Sequence, residues 1–143
     1  MYYLVILASI FLLNTNLAVA QEQQTEEAAT TNNTINYNGD IERGSEVFFR
    51  CSSCHSIESD SDTVTIGPDL IGIFGRQVGS NADYNEYSKA LREATFIWDE
   101  TKLDNWLKNP NGFLPGNTMA FNGILRQKDR DDIIAFIRHE GEN

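Results

Sequence analysis

Within five residues the chain places two thiols and an imidazole, Cys51-Ser-Ser-Cys54-His55, and it has no other cysteine. Such a group can ligate a metal, cycle between dithiol and disulfide, or add both sulfurs to the vinyl groups of a haem while the imidazole takes the iron. The spacing separates these three chemistries. A structural zinc site needs four protein ligands, and a full set would recruit both cysteines and the only two histidines, His55 and His139, with no zinc-finger spacing between them. A thioredoxin-like pair opens a helix that follows a strand, and runs of alternating β-branched residues are almost absent here. A disulfide closed over two residues would contribute little entropic stabilisation. Each of these leaves His55 without a task. Covalent attachment of one haem c uses all three residues, with thioethers at Cys51 and Cys54 and His55 as an axial ligand.

The opposite axial position has three candidate states: Met119, His139, or an open site. If Met1 is lost with a leader, Met119 is the only thioether left. It follows His55 by 64 residues, in the irregular Pro/Gly stretch Asn111 to Asn122, which can lay it over the far haem face. On the near side, the turn Gly67-Pro68-Asp69-Leu70 offers a carbonyl at Pro68 that can accept the second ring N–H of His55.

These residues must be delivered by the elements around them. Asp40 is a candidate N-cap, and Ile41, Gly44, Phe48 and Cys51 fall on one face of a helix that carries the attachment motif at its C-terminal end. Ser56 to Asp62 is an acidic loop, and Ile71 to Gly79, with three glycines among apolar residues, suits a loop packed closely on a flat ligand. Ser88 to Ala94 forms a short helix, and Asp99 caps another in which Leu103, Trp106 and Leu107 share a face until Pro110 ends it. Lys128 to His139 is amphipathic, acidic in its first turn and basic in its last, with Gly141 beyond its end. The expectation is an all-α fold of several short helices and long loops wrapped around one covalently bound haem.

The chain of 143 residues divides into 1–20, a signal peptide; 21–38, a flexible polar linker; and 39–143, one compact domain. Leu4 to Leu13 is a largely apolar run, too short to span a bilayer as a helix, and Ala18-Val19-Ala20 resembles a signal-peptidase site. No Lys or Arg precedes the run, which keeps an uncleaved anchor as the alternative. Either way the domain lies on the export side of a membrane, periplasmic in a bacterium. The formal charge is −10, and about −7 remains once the leader carboxylates Glu22, Glu26 and Glu27 are set aside. That balance argues against nucleic acid and acidic membrane surfaces as partners.

The motifs taken together resemble those of class I c-type cytochromes, the mitochondrial cytochrome c kind and its small bacterial relatives. They are Cys51-Ser-Ser-Cys54-His55, Gly67-Pro68-Asp69-Leu70, Phe74-Gly75-Arg76, Trp98, Trp106-Leu107-Lys108-Asn109-Pro110 and Pro115-Gly116-Asn117-Thr118-Met119-Ala120-Phe121. The resemblance implies His55 and Met119 as axial ligands, and Pro68 as partner of the His55 ring N–H. It further implies Arg76, Tyr87 and Trp98 as hydrogen-bonding partners of the haem propionates. It brings Gly44, Phe48, Ile133 and Phe136 to the crossing of first and last helices, and puts Trp106 where the family usually has tyrosine.

As to function, the resemblance implies a monomeric one-electron carrier, not an enzyme. It would shuttle between a quinol-oxidising respiratory complex and a terminal oxidase or reductase. The alternatives are a bound electron-transfer subunit of a larger complex, and a peroxidase-like or gas-binding protein with a labile Met119. Asn105 to Leu125 holds a single charge, Lys108, so a docking surface there is expected to be apolar and polar, with Phe113 and Phe121 near the haem edge.

Overall fold

The computed structural model describes residues 38–58 and 65–141. The leader and most of the linker therefore lie outside the described residues, as does the part of the acidic loop from 59 to 64. Among these residues five helices make up the regular structure: α1 (Ile41–Phe48), α2 (Lys89–Glu93), α3 (Glu100–Lys108), α4 (Pro110–Phe113) and α5 (Gln127–Gly141). The one extended pairing among the described residues is an isolated antiparallel bridge between Gln77 and Ile97. None of the described helices is long and apolar enough to cross a membrane.

Side-chain acceptors start the helices where the sequence predicts. Asp40 takes the Arg43 N–H at 3.1 Å, Ser88 the Leu91 N–H at 3.3 Å and Asp99 the Lys102 N–H at 2.7 Å, each satisfying a donor that the first turn leaves open. Pro110 ends α3 as predicted, and it also occupies the first turn of a short helix where the sequence predicts a loop. Asn109 closes α3 and caps α4, its Oδ1 accepting the Gly112 N–H at 3.0 Å. Proline suits that first turn because its missing N–H has no intrahelical partner there. Gly141 is the last residue of α5 rather than lying beyond it, and its carbonyl accepts the Gly72 N–H at 2.9 Å. The end of the helix is thereby fastened to the loop that follows Leu70.

The principal helix contact is α1 against α5. A Cβ on Gly44 would lie 2.2 Å from the Asp132 carbonyl oxygen, and one on Gly39 would lie 2.1 Å from that of Asp131. Only glycine lets the backbones approach this closely. Phe48 and Phe136 meet beside the crossing with ring centroids 5.2 Å apart, and Ile133, Ile134 and Ile137 are fully buried, each contributing about 1.5–3 kcal/mol of apolar burial. Two polar groups are buried with them. The Asp132 carboxylate accepts the Asp40 N–H at 2.7 Å and pairs with Arg43 and Lys128. Arg130 donates to the carbonyls of Ile124 and Leu125 at 2.8 and 3.0 Å and to Asp104 at 2.8 Å, joining α3, α5 and the loop between them.

Candidate haem site

After α1 the chain tightens into turns. The Cys51 N–H bonds to the Phe48 carbonyl at 2.7 Å, and the Cys51 carbonyl accepts the N–H groups of both Cys54 and His55 at 2.9 Å. This coil brings Cys51, Cys54 and His55 to the wall of one cavity of about 530 Å³, within the size range of cofactor sites, about 300–1,000 Å³. Burial pushes the Cys51 thiol up to about 11, with Arg50 only partly opposing it. A thiol held protonated at neutral pH is the reverse of an activated redox cysteine. Among the described residues no group of three His, Cys, Asp or Glu side chains is placed to hold a metal ion.

His55 is fixed from two sides. Its Nδ1 lies 2.7 Å from the Pro68 carbonyl oxygen; a carbonyl can only accept, so Nδ1 carries the proton and Nε2 keeps its lone pair. Burial lowers the pKa of the ring, against the Pro68 hydrogen bond that raises it. Gly67 packs under the imidazole, and a Cβ there would stand 2.4 Å from Cε1. The Gly67 N–H in turn bonds to the Cys54 carbonyl at 2.7 Å.

The rest of the wall comes from the second half of the chain. Met119 lines the cavity with Thr118 and Phe121, on a loop held by the Asn117 side chain. Asn117 donates to the Leu114 carbonyl at 2.9 Å and accepts the Met119 N–H at 3.0 Å. Trp98 and Trp106, both buried, add their faces to the lining and meet edge to face at 5.6 Å. Phe113, half-buried at the end of α4, packs on this pair and on Phe96, with centroids 5.5 to 6.4 Å apart. His139 is not among the residues lining the cavity.

Arg76 and Tyr87 also line it. The Arg76 guanidinium is gathered by the carbonyls of Asp69, Ile71 and Gly72, and the Tyr87 hydroxyl accepts the Asn81 N–H at 3.3 Å. Burial raises the Tyr87 pKa, chiefly over that hydrogen bond and the nearby Arg76. The sequence reading passed over Asp69, Asn81, Asn117 and Tyr84, although Asp69 and Asn117 stood inside quoted motifs. Tyr84 and Tyr87 stack edge to face at 4.8 Å, and Tyr84 donates to the Ile66 carbonyl at 2.9 Å. Aromatic residues at spacing three were the available signal.

The model of the family described as Cytochrome c matches residues 41–140. Cytochrome c of Arabidopsis thaliana is 38% identical over 107 residues, covering 74% of this chain and 94% of that protein. Cytochrome c of Euglena viridis is 42% identical over 101 residues, with 70% and 96% covered, and cytochrome c2 of Agrobacterium tumefaciens is 38% identical over 102 residues, with 69% and 90% covered. Among solved structures, cytochrome cH from Methylobacterium extorquens superposes with a TM-score of 0.64 at 36% identity, over 71% of this chain and 99% of that one. The chain belongs to the cytochrome c family. It is an electron-transfer protein and not an enzyme, and its cofactor is one haem c held covalently through Cys51 and Cys54.

The cavity fits that cofactor on its own evidence. Its lining is predominantly apolar and holds both thiols, with the Arg76 guanidinium and the Tyr87 phenol among its few polar groups. When bound, the haem supplies the one-electron change at iron. The chain's residues anchor it, exclude water around it and set its electrostatic surroundings.

Proposed function

We propose that this protein carries single electrons between a quinol-oxidising respiratory complex and a terminal oxidase or reductase, with His55 and Met119 as the two axial ligands of its haem. The observation that carries the reading is that His55 and Met119 line one cavity while Pro68 holds the proton of the His55 ring on Nδ1. Nε2 is thereby left as a ligand atom. With protein side chains on both axial positions no coordination site remains for substrate, which favours transfer over catalysis at the iron. A methionine thioether opposite a histidine raises the potential, and the apolar wall formed by Trp98, Trp106 and Phe121 works in the same direction by disfavouring the added charge of the ferric state.

Pro68, Arg76, Tyr87 and Trp98 complete the set: Pro68 would orient the axial imidazole, and the other three, which line the same cavity, would hydrogen-bond the haem carboxylates. Partners are redox proteins, and the chain acts as a monomer on the export side of a membrane, delivered by residues 1–20. The mass of the mature protein tests delivery, since cleavage after Ala20 and the addition of one haem each leave a defined difference.

The ligand assignment is tested by Met119→Ala. The expected result is loss of the far-red sulfur-to-iron band of the oxidised protein, a lowered midpoint potential, and binding of small ligands that the parent excludes. An unaltered oxidised spectrum and midpoint would remove Met119 from the iron and the carrier reading with it.

A further inference from the structure

The stretch of wall from residue 69 to 87 carries connected polar groups that the reading above uses only in part. The Arg76 guanidinium donates through Nη1 to the Asp69 carbonyl at 3.3 Å, through Nε to the Gly72 carbonyl at 3.4 Å, and through Nη2 to the Ile71 carbonyl. Its Nη2 also stands 3.7 Å from Oδ1 of the Asp69 carboxylate. A guanidinium has five N–H donors. Three are taken by carbonyls and a fourth faces the carboxylate, which leaves one, on Nη1, for the cavity.

Asp69 is held as firmly as the arginine it faces. Its Oδ1 accepts the Ile71 N–H at 3.1 Å, and its Oδ2 accepts from the Asn81 side-chain amide. The Asn81 backbone N–H then donates to the Tyr87 hydroxyl at 3.3 Å. Arg76, Asp69 and Tyr87 all line the cavity, so the guanidinium, carboxylate, amide and phenol form one network along a single wall. The arginine there already has an anionic partner from the chain itself.

We propose that Asp69 is a positioning residue that sets the potential of the haem iron by competing with the cofactor's carboxylates for Arg76. The proposal rests on the reading that the haem occupies this cavity. Both side chains are largely shielded, Arg76 with 19% and Asp69 with 31% of its side chain exposed, so their charges act in a medium less screening than water. While Asp69 holds Nη2, Arg76 neutralises the cofactor's carboxylates only in part. The uncompensated negative charge favours ferric iron. Removing the Asp69 charge frees the guanidinium, and the ferrous form gains.

The experiment measures midpoint potentials of four haem-loaded proteins at one pH and one ionic strength: the parent, D69N, R76Q and the double variant. Covalent haem is read from the pyridine haemochrome spectrum. D69N raises the midpoint, and the same substitution made in the R76Q background raises it less, because the residue through which Asp69 acts is gone. An unchanged midpoint in D69N overturns the proposal. So does an equal rise in both backgrounds, which would make Asp69 a bare charge acting through space. Should D69N fail to load haem, D69A takes its place, and failure of both would mark Asp69 as purely structural and overturn the proposal. A parent protein without covalent haem would instead sink the reading on which it rests.

Discussion

Where α1 crosses α5 the protein packs on itself. Glycines 39 and 44 lie against backbone carbonyls, Phe48 meets Phe136, and the buried Asp132 has a backbone N–H and two cations around its carboxylate. The cavity is built on other terms. Residues 65–88 and 114–126, which supply much of its wall, contain no helix; Val78 and Ile124 tie them to the core, while Leu70, Ile73, Met119 and Phe121 face a volume of about 530 Å³. The cavity is partly open, so without an occupant its apolar side chains would meet water, at a cost of about 25 cal/mol for each Å² left exposed. The crossing is closed largely by its own contacts and the loops face the cofactor's space, with Ile133 and Ile137 of α5 shared by both.

The most severe way to break this contrast is to prevent attachment. The double variant C51A/C54A is expected to lose the cooperative thermal transition and much of its helical circular dichroism when produced without covalent haem. A variant that melted cooperatively with native helix content would show that the loops pack without help, and the contrast would fail.

Two glycines sharpen the same comparison because each lies under a different half. Gly44→Ala inserts a methyl 2.2 Å from the Asp132 carbonyl and forces the two helices apart, which should cost about 3 kcal/mol in urea unfolding of the haem-loaded protein. The haem spectrum should be untouched. Gly67→Ala inserts one 2.4 Å from the His55 ring, and its expected signature is the converse. The oxidised spectrum and midpoint shift while stability falls by about 1–2 kcal/mol. A spectral change in the first variant, or none in the second, would mean that the two regions are not separable.

The legibility of the sequence divides along the same line. Helix starts were readable because Asp40, Ser88 and Asp99 act on donors three residues away, and the attachment motif was readable because its spacing is local. The crossing of α1 and α5 came only by resemblance, since nothing in the chain's own periodicity says which helix Gly44 must approach. Helix α4 escaped notice because Pro110 reads equally as a stop and as a start, and only the Asn109 cap distinguishes them. The Arg76, Asp69 and Asn81 contacts close over intervals of 7 and 12 residues in irregular chain, where no repeat exists to betray them. The contacts of Phe113 with Phe96 and Trp98 were illegible for a related reason: those partners lie outside α4, in the irregular chain before α3.

The crossing also has its own pH signature. Burial alone would raise the Asp132 pKa, but the Asp40 N–H, Lys128 and Arg43 outweigh it and hold the carboxyl below its usual value. A depressed carboxylate contributes stability that is fully present above the ordinary value of about 3.9 and is lost as pH falls through the depressed one. Asp132→Asn should therefore cost about 1–3 kcal/mol near neutrality, and the gap between parent and variant should close in acid. A gap that stayed constant down to the acid transition would assign the loss to packing, not to charge.

The smallest effect concerns the mouth of the cavity. Its lining includes two cations, Arg50 and Arg76, and two anions, Asp69 and Glu86, so the charges closest to the cofactor sum to zero. Steering of a partner toward that opening then relies on charges outside the lining, which salt screens over about 8–10 Å. Raising ionic strength should change the second-order rate of electron transfer to a redox partner by less than about threefold between 50 and 200 mM salt, against the steep dependence of charge-steered pairs. A steep fall would mean that charges flanking the lining do the docking, and Lys89, Arg92 and Lys108, each next in sequence to a lining residue, would be the first to neutralise.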